Sequence, residues 1–282
     1  MWIELKLRKI KVLNMVLWLL LVTQVGATVS VPSLNDCPDM IFIDGNEDNS
    51  LPSNGSGGLF PGSMSRVINV AGIGNQTYYY YIPSSYQSSE ALPLMMLWHG
   101  AAGAGQAANQ AQSMIDLWED EAESQNFIIV AQVATGASGG WVPGNDSQIL
   151  GSIFDDMGAR YNIENTRIYG WGFSAGGHVW HALGLQNTDF FAAYAVNAGV
   201  LAGFAGTTAP LSADRNLPVY VSVGSSDSLL SFAQNDTSVF LAGGWVEGKN
   251  YWLDVFTGGH VLPNDAPTKA WANICISTNL DE

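Results

Sequence analysis

The sequence predicts an α/β fold in which helices cover both faces of a mostly parallel sheet. From Arg66 onward, short β-rich runs alternate with helical patterns, which is typical of a parallel sheet with crossover helices. The first two β-rich runs follow one another without a helix, which predicts an antiparallel start at one sheet edge. The chain has 282 residues, 47% of them hydrophobic and 12% charged. It is therefore long enough for one large domain with a buried core, and no repeat indicates a second domain.

Each predicted strand is a short run rich in β-branched, aromatic or other apolar residues, and LPVYVSV at 217–223 has the largely apolar pattern of a buried strand. In chain order, the predicted strands are Arg66–Ala71, Thr77–Ile82, Leu92–Trp98, Phe127–Val133, Arg167–Trp171, Phe191–Asn197, Leu217–Val223 and Tyr251–Phe256. The helical predictions follow apolar residues at helical spacing, such as Val179 and Leu183. The predicted helices are Gln106–Gln125, Ser147–Tyr161, Ala175–Gln186, Leu229–Leu241 and Pro267–Ile276.

The N-terminus has the pattern of a secretory signal peptide over residues 1–27. A basic region with Lys6 and Lys11 at its ends precedes the apolar run Val12–Val22, and the small residues Val25-Gly26-Ala27 form a cleavage site. A membrane anchor is the alternative, but the apolar run is short for a spanning helix. Met15 is a second candidate start. Residues 28–65, rich in Asn, Ser, Gly, Pro and Asp, predict a flexible arm before the main domain at 66–282.

The charge and the cysteines bear on partners and compartment. The net charge is −15, and removal of residues 1–27 would bring it to −18. Such a surface repels nucleic acid and anionic membranes, so we expect neither as a partner of the mature, secreted protein. In an oxidising compartment Cys37 and Cys275 can form one disulfide that ties the two chain ends together. Two unpaired buried thiols are the alternative.

The segment from Asn165 to Gly184 contains the pattern Gly-Phe-Ser-Ala-Gly between a β-rich run and a helical pattern. This is the layout of a nucleophile elbow, where a serine sits on a sharp strand-to-helix turn. Glycines near the serine let the strand and the helix approach closely. The alternative is a glycine-rich loop without chemistry, because so short a pattern also arises by chance. The strand before it and the helix after it favour Ser174 as a nucleophile.

A serine nucleophile needs a base and an acid on loops that follow strands. His260 is the one histidine on a loop after the last predicted strand, where the order nucleophile, acid, histidine requires it. Asp227 follows the penultimate strand and is the predicted acid. The other candidates are Asp214, before that strand, Asp236, in a helical region, and Asp254, inside a strand.

The other histidines have ordinary explanations. His178 and His181 are three residues apart on one helix, but no third ligand with metal-site spacing accompanies them, so no metal is predicted. His99 is expected to organise its own loop.

The oxyanion of the reaction needs two backbone N–H donors. Ala175, directly after the serine, is expected to supply one, and Ala101 in the loop after the third strand the other, with Gly100 and Ala102 as alternatives. Trp141 follows the fourth strand and lies on the same side of the sheet. It is either an exposed substrate-binding residue or an anchor for its loop.

Six segments occur in an order that resembles a known family: SRVINVAGIGNQTYYYYIPSSY, LPLMMLWHGAAG, NTRIYGWGFSAGGH, FFAAYAVNAGV, LPVYVSVGSSDSLL and GGHVLP. They are similar to the polyhydroxybutyrate depolymerase and feruloyl esterase group of secreted α/β-hydrolases, over roughly residues 66–275. The resemblance implies an α/β-hydrolase fold without a large cap domain and a triad of Ser174, Asp227 and His260. It also implies cleavage of carboxylic esters, in a polyester oligomer or an acylated polysaccharide, without a metal or organic cofactor. A non-catalytic binding protein on the same scaffold is the alternative from another class.

Overall fold

One eight-stranded sheet forms the centre of the computed structural model, which describes residues 51–280. The strands lie in the order β1-β2-β4-β3-β5-β6-β7-β8. β1, β2 and β4 pair in antiparallel fashion, and all pairs from β4 through β3 to β8 are parallel. The strands are β1 (Gly62–Val70), β2 (Gly74–Ile82), β3 (Leu92–Trp98), β4 (Ile128–Gln132), β5 (Ile163–Phe173), β6 (Ala193–Asn197), β7 (Val219–Gly224) and β8 (Tyr251–Phe256).

Helices cover both faces of the sheet and bury a separate apolar cluster on each. The helices are α1 (Ala107–Gln125), α2 (Pro143–Arg160), α3 (Ala175–Gln186), α4 (Leu230–Ala242) and α5 (Ala266–Ile274). Apart from Ala107 at the start of α1, the clustered buried side chains of α1 and α5 belong to one cluster, and those of α2, α3 and α4 belong to the other. Among the described helices, none combines the length and the apolar character that a membrane span requires. The predicted α/β fold class is confirmed.

The element bounds follow the sequence prediction closely, with differences at a few ends. β3, α3 and β8 have the predicted bounds. α2 begins at Pro143, four residues before the predicted Ser147. Proline fits the first turn of a helix, because a backbone N–H there would have no helix carbonyl to donate to. β5 is longer than predicted and begins at Ile163, which pairs with Leu92 of β3. The polar stretch at 164–167 is a bulge, and regular pairing resumes at Ile168, which is why the local pattern marked only the later part of the strand.

The C-terminal part of the predicted arm is attached to the domain. β1 begins at Gly62, four residues before the predicted Arg66, and pairs with β2 along its whole length. Before it, Ser53 N–H donates to the Ile163 carbonyl at 2.9 Å, and its Oγ donates to the Tyr161 carbonyl at 2.7 Å. Short polar residues therefore supply hydrogen bonds to the sheet here. From residue 51 onward the predicted arm is therefore attached to the domain, and residues 1–50, including the predicted signal segment, lie outside the described residues.

Candidate active site

Ser174 occupies a sharp turn between the last residue of β5 and the first residue of α3. Its φ of 50° and ψ of −116° lie outside the regions that a serine ordinarily adopts. A Cβ on Gly172 would stand 2.5 Å from the carbonyl carbon of Gly176, and a Cβ on Gly176 would stand 2.3 Å from the Trp98 carbonyl oxygen. Any larger residue at either position would push the strand and the helix apart. The two glycines therefore permit the turn that exposes the serine.

Three predicted residues from three different loops meet at the carboxyl ends of the parallel strands. His260 Nε2 lies 2.9 Å from Ser174 Oγ, and His260 Nδ1 lies 2.8 Å from Asp227 Oδ2. Because a carboxylate accepts, Nδ1 carries the ring proton, and Nε2 is left to accept from the serine hydroxyl. The Asp227 side chain is fully buried, whereas the His260 side chain is 42% exposed. This arrangement holds one imidazole tautomer, and its basic nitrogen faces the hydroxyl.

The loops after β7 and β8 are hydrogen-bonded to each other, and this fixes the Asp227–His260 pair. Ser225 N–H donates to the Phe256 carbonyl at 2.8 Å, and Ser226 N–H donates to the Gly258 carbonyl at 2.7 Å. Asp227 itself is fixed through Oδ1, which accepts from Leu229 N–H at 2.9 Å. The acid therefore has a partner on both oxygens and little freedom to turn away from the histidine.

The loop after β3 passes beside Ser174, and its hydrogen bonds show which of its backbone N–H groups are free to bind an oxyanion. Ala102 N–H donates to the Gly139 carbonyl at 2.9 Å, so Ala102 does not serve as a second donor. A Cβ on Gly100 would stand 3.4 Å from Ser174 Cβ, which places this backbone next to the serine. Ala175 is the first residue of α3, where an N–H has no carbonyl one turn back in the helix. Ala175 and Ala101 remain the candidate donors, with Gly100 as the alternative to Ala101.

No protein-family model matches the chain. Among curated proteins, it is similar to a bifunctional acetylxylan esterase/xylanase of Neocallimastix patriciarum, with 32% identity over 157 residues. The match covers 55% of this chain and 22% of that protein, so the chain spans about a fifth of the relative's length.

Solved structures resemble a larger part of the chain at lower identity. A ferulic acid esterase from Anaeromyces mucronatus in complex with ferulic acid has a TM-score of 0.61 at 13% identity, over 77% of this chain and 90% of that one. A mutant of the feruloyl esterase module from Clostridium thermocellum, complexed with sinapinate, has a TM-score of 0.60 at 14% identity, over 81% and 93%. The chain has the α/β-hydrolase fold. The predicted resemblance to this class of protein is confirmed at the level of the fold.

Trp141 is a loop anchor, and the alternative reading of it as an exposed substrate-binding residue is wrong. Its side chain is only 7% exposed and stacks on Trp98, with ring centroids 4.1 Å apart and planes 7° from parallel. Its Nε1–H donates to the His99 carbonyl at 2.8 Å. The sequence placed Trp141 on the correct side of the sheet, but it did not reveal the facing Trp98 that covers the indole.

The remaining histidines have structural partners. His99 is buried with Nδ1 2.6 Å from the Gly100 carbonyl, and burial lowers its pKa. His178 Nδ1 accepts from Val200 N–H at 2.9 Å. His181 Nδ1 lies 3.0 Å from the Tyr194 hydroxyl, and burial lowers the pKa of His181 to about 3. Within residues 51–280, no group of three metal-ligating side chains stands together.

Two residues at the site were not predicted from the sequence. Phe173 precedes the serine, and its ring lies 5.4 Å from that of His260, between centroids, so it borders the histidine. Asp146 is fully buried and accepts hydrogen bonds from Thr135 N–H at 3.2 Å and from Val142 N–H, which closes the loop that carries Gly139 and Trp141. An aspartate in the first turn after a proline is a helix-start signal that marks Asp146 in the sequence.

Only one of the two cysteines of the predicted disulfide is among the described residues. Cys275 follows α5 and is 1% exposed. Cys37 lies outside the described residues, so the pairing of Cys37 with Cys275 stays a prediction.

Asp236, one of the other candidates for the acid, has a different place in the fold. It lies on α4, is 6% exposed, and accepts from Leu201 N–H at 2.8 Å through Oδ2. Burial raises its pKa from the ordinary 3.8 to about 6. The folded state therefore binds more protons than the unfolded state between these two pH values, and the free energy of unfolding falls as the pH rises through this interval.

We expect Asp236→Asn to stabilise the protein at pH 7.5 by roughly 1 to 2 kcal/mol. The amide oxygen of asparagine keeps the bond from Leu201 N–H without burying a charge. At pH 4 the wild-type carboxyl is protonated in the folded state, so the difference should nearly vanish. Urea unfolding of both proteins at the two pH values measures this, and an equal difference at both would contradict it.

Proposed function

We propose that this protein is a serine carboxylic-ester hydrolase that works through an acyl-enzyme. The observation that carries the proposal is the unbroken set of contacts from Ser174 Oγ through the His260 ring to the buried Asp227. A non-catalytic protein on this scaffold would have no need to keep all three groups at hydrogen-bond distance, and the strained turn at Ser174 would bring it no benefit.

The proposed reaction proceeds in two halves. Ser174 Oγ attacks the ester carbonyl while His260 Nε2 takes its proton, and Asp227 stabilises the imidazolium that forms. Backbone N–H groups of Ala175 and Ala101 bind the oxyanion of the tetrahedral intermediate. Its collapse transfers the proton from His260 to the departing alcohol and leaves an acyl group on Ser174. Water, deprotonated by His260, then releases the acid and restores the serine. No metal or organic cofactor takes part in this scheme.

The proposed substrates are acyl esters on plant cell-wall polysaccharides, either acetyl or feruloyl. Two independent similarities support this class, since the curated relative is an acetylxylan esterase/xylanase and the similar structures include feruloyl esterases. A polyester of hydroxybutyrate is the second candidate, and the order of the six sequence segments supports it. The signal pattern and the predicted Cys37–Cys275 pair support secretion, which suits either insoluble substrate.

A substrate panel tests the proposal. We expect the protein to hydrolyse acetylated xylan or methyl ferulate with kcat/KM at least tenfold above that for hydroxybutyrate oligomers of similar solubility. A preference for the oligomers would instead support the polyester reading. No turnover of any ester in the panel, including p-nitrophenyl acetate, would contradict the hydrolase proposal and favour a binding protein.

A further inference from the structure

Trp141 is joined to the loop after β3 by a specific hydrogen bond. Its Nε1–H donates to the His99 carbonyl at 2.8 Å, and that carbonyl belongs to the peptide unit between His99 and Gly100. The stack on Trp98 fixes the plane of the donating indole. The direction of this peptide unit is thus set by a buried ring on another loop.

The next two peptide units of the loop are also held. The Gly100 carbonyl lies 2.6 Å from His99 Nδ1, which must carry the proton because a carbonyl only accepts. Ala102 N–H donates to the Gly139 carbonyl at 2.9 Å. Gly139 and Trp141 are two residues apart on the same loop, so this loop holds the first and the third unit, while His99 holds the one between them.

The planarity of the peptide bond converts these contacts into donor directions. In a trans peptide the C=O and the N–H point to opposite sides. Since the His99 carbonyl points to Trp141, Gly100 N–H points away from Trp141. Since the Gly100 carbonyl points to the His99 ring, Ala101 N–H points away from that ring. The directions of Gly100 N–H and Ala101 N–H are therefore each set by the hydrogen bond to the carbonyl on the opposite side of the same peptide unit.

We propose that Trp141 is a positioning residue for the oxyanion hole, acting through the His99 carbonyl. This role requires no contact of Trp141 with the substrate or with Ser174. Its indole N–H keeps the His99–Gly100 peptide in the orientation that preorganises the donors, and so it supports the transition state more than the bound ester. The inference rests on the proposed ester hydrolysis, because an oxyanion hole has a use only in such a reaction.

The chain offers a matched control for the indole N–H. Trp98 is the other ring of the same stack, and within the described residues its Nε1 has no hydrogen-bond partner. Trp141→Phe and Trp98→Phe each replace one stacked indole by a smaller ring. Only the first removes a hydrogen bond to the oxyanion loop, so comparing the two separates the bond from the loss of packing.

We expect Trp141→Phe to lower kcat for p-nitrophenyl acetate about tenfold relative to Trp98→Phe, with KM unchanged within about twofold, a loss smaller than that of a direct oxyanion donor. A boronic acid that mimics the tetrahedral intermediate should bind more weakly by the same factor. Where the smaller ring impairs folding, 3-benzothienylalanine at position 141 removes the N–H and keeps the bicyclic ring. A loss of kcat with that residue supports the inference.

Two results would overturn the inference. One is an equal kcat in the two phenylalanine variants, and the other is a loss that appears in KM with unchanged boronic acid binding. Neither result would contradict the proposed function, which fails only if the wild-type protein hydrolyses no ester.

Discussion

Ser174→Ala is expected to lower kcat/KM for p-nitrophenyl acetate on the order of 10⁵-fold and to leave the fold intact. The Ser174 hydroxyl lies 2.9 Å from His260 Nε2, and alanine leaves no atom to form the acyl-enzyme. Alanine is also smaller than serine, so nothing at the turn has to move. Steady-state kinetics and circular dichroism of the two proteins measure both parts of the expectation.

A second serine provides the control for this variant. Ser113 lies on α1, is exposed, and its hydroxyl donates only to the Asn109 carbonyl of the same helix. Ser113→Ala should keep wild-type kinetics and should still be labelled by a fluorophosphonate that phosphonylates active serines. Ser174→Ala should lose that label. If Ser174→Ala were labelled and active like the wild type, the nucleophile would have to be another residue.

Most of the fold could be predicted because its signals are local. β3 is a seven-residue apolar run that is buried along its whole length, and α3 follows a turn marked by glycines. The early start of β1 was missed because Gly62, Ser63 and Ser65 are small or polar, and because the residues at its start alternate between half-buried and exposed. An edge strand is more exposed than a central one, so it carries less of the apolar pattern that marks a strand in the sequence.

Some features of the site could likewise be predicted from local sequence, whereas others depend on contacts between residues far apart in the chain. The positions of Ser174, Asp227 and His260 after their strands could be read from the sequence, because the carboxyl ends of parallel strands meet at one edge. The environment of Trp141 could not, because the ring that covers it, Trp98, lies 43 positions earlier in the chain. Likewise, only the structure removes Ala102 from the donors, through its bond to Gly139.

Asp227→Asn is expected to lower kcat about 10⁴-fold, or about 5 kcal/mol of activation free energy, with little change in KM. The wild-type carboxylate accepts the proton of His260 Nδ1 at 2.8 Å and so leaves Nε2 free to accept from Ser174. An asparagine that keeps its oxygen on Leu229 N–H turns its amide donors toward Nδ1. The ring then places its proton on Nε2, which can no longer take the proton of Ser174. The measurement is kcat with p-nitrophenyl acetate at pH 7.5.

Asp214→Asn is the matched control, because Asp214 is exposed, lies before β7, and was an alternative acid in the sequence. It carries the same change of charge and should keep wild-type kcat. The double variant Ser174→Ala/Asp227→Asn should be no less active than Ser174→Ala alone, since groups that act as a unit lose their effect together. A further loss in the double variant would mean that Asp227 works independently of the serine. Full activity of Asp227→Asn would transfer the role of the acid to another carboxylate, with Asp236 and Asp254 the next to test.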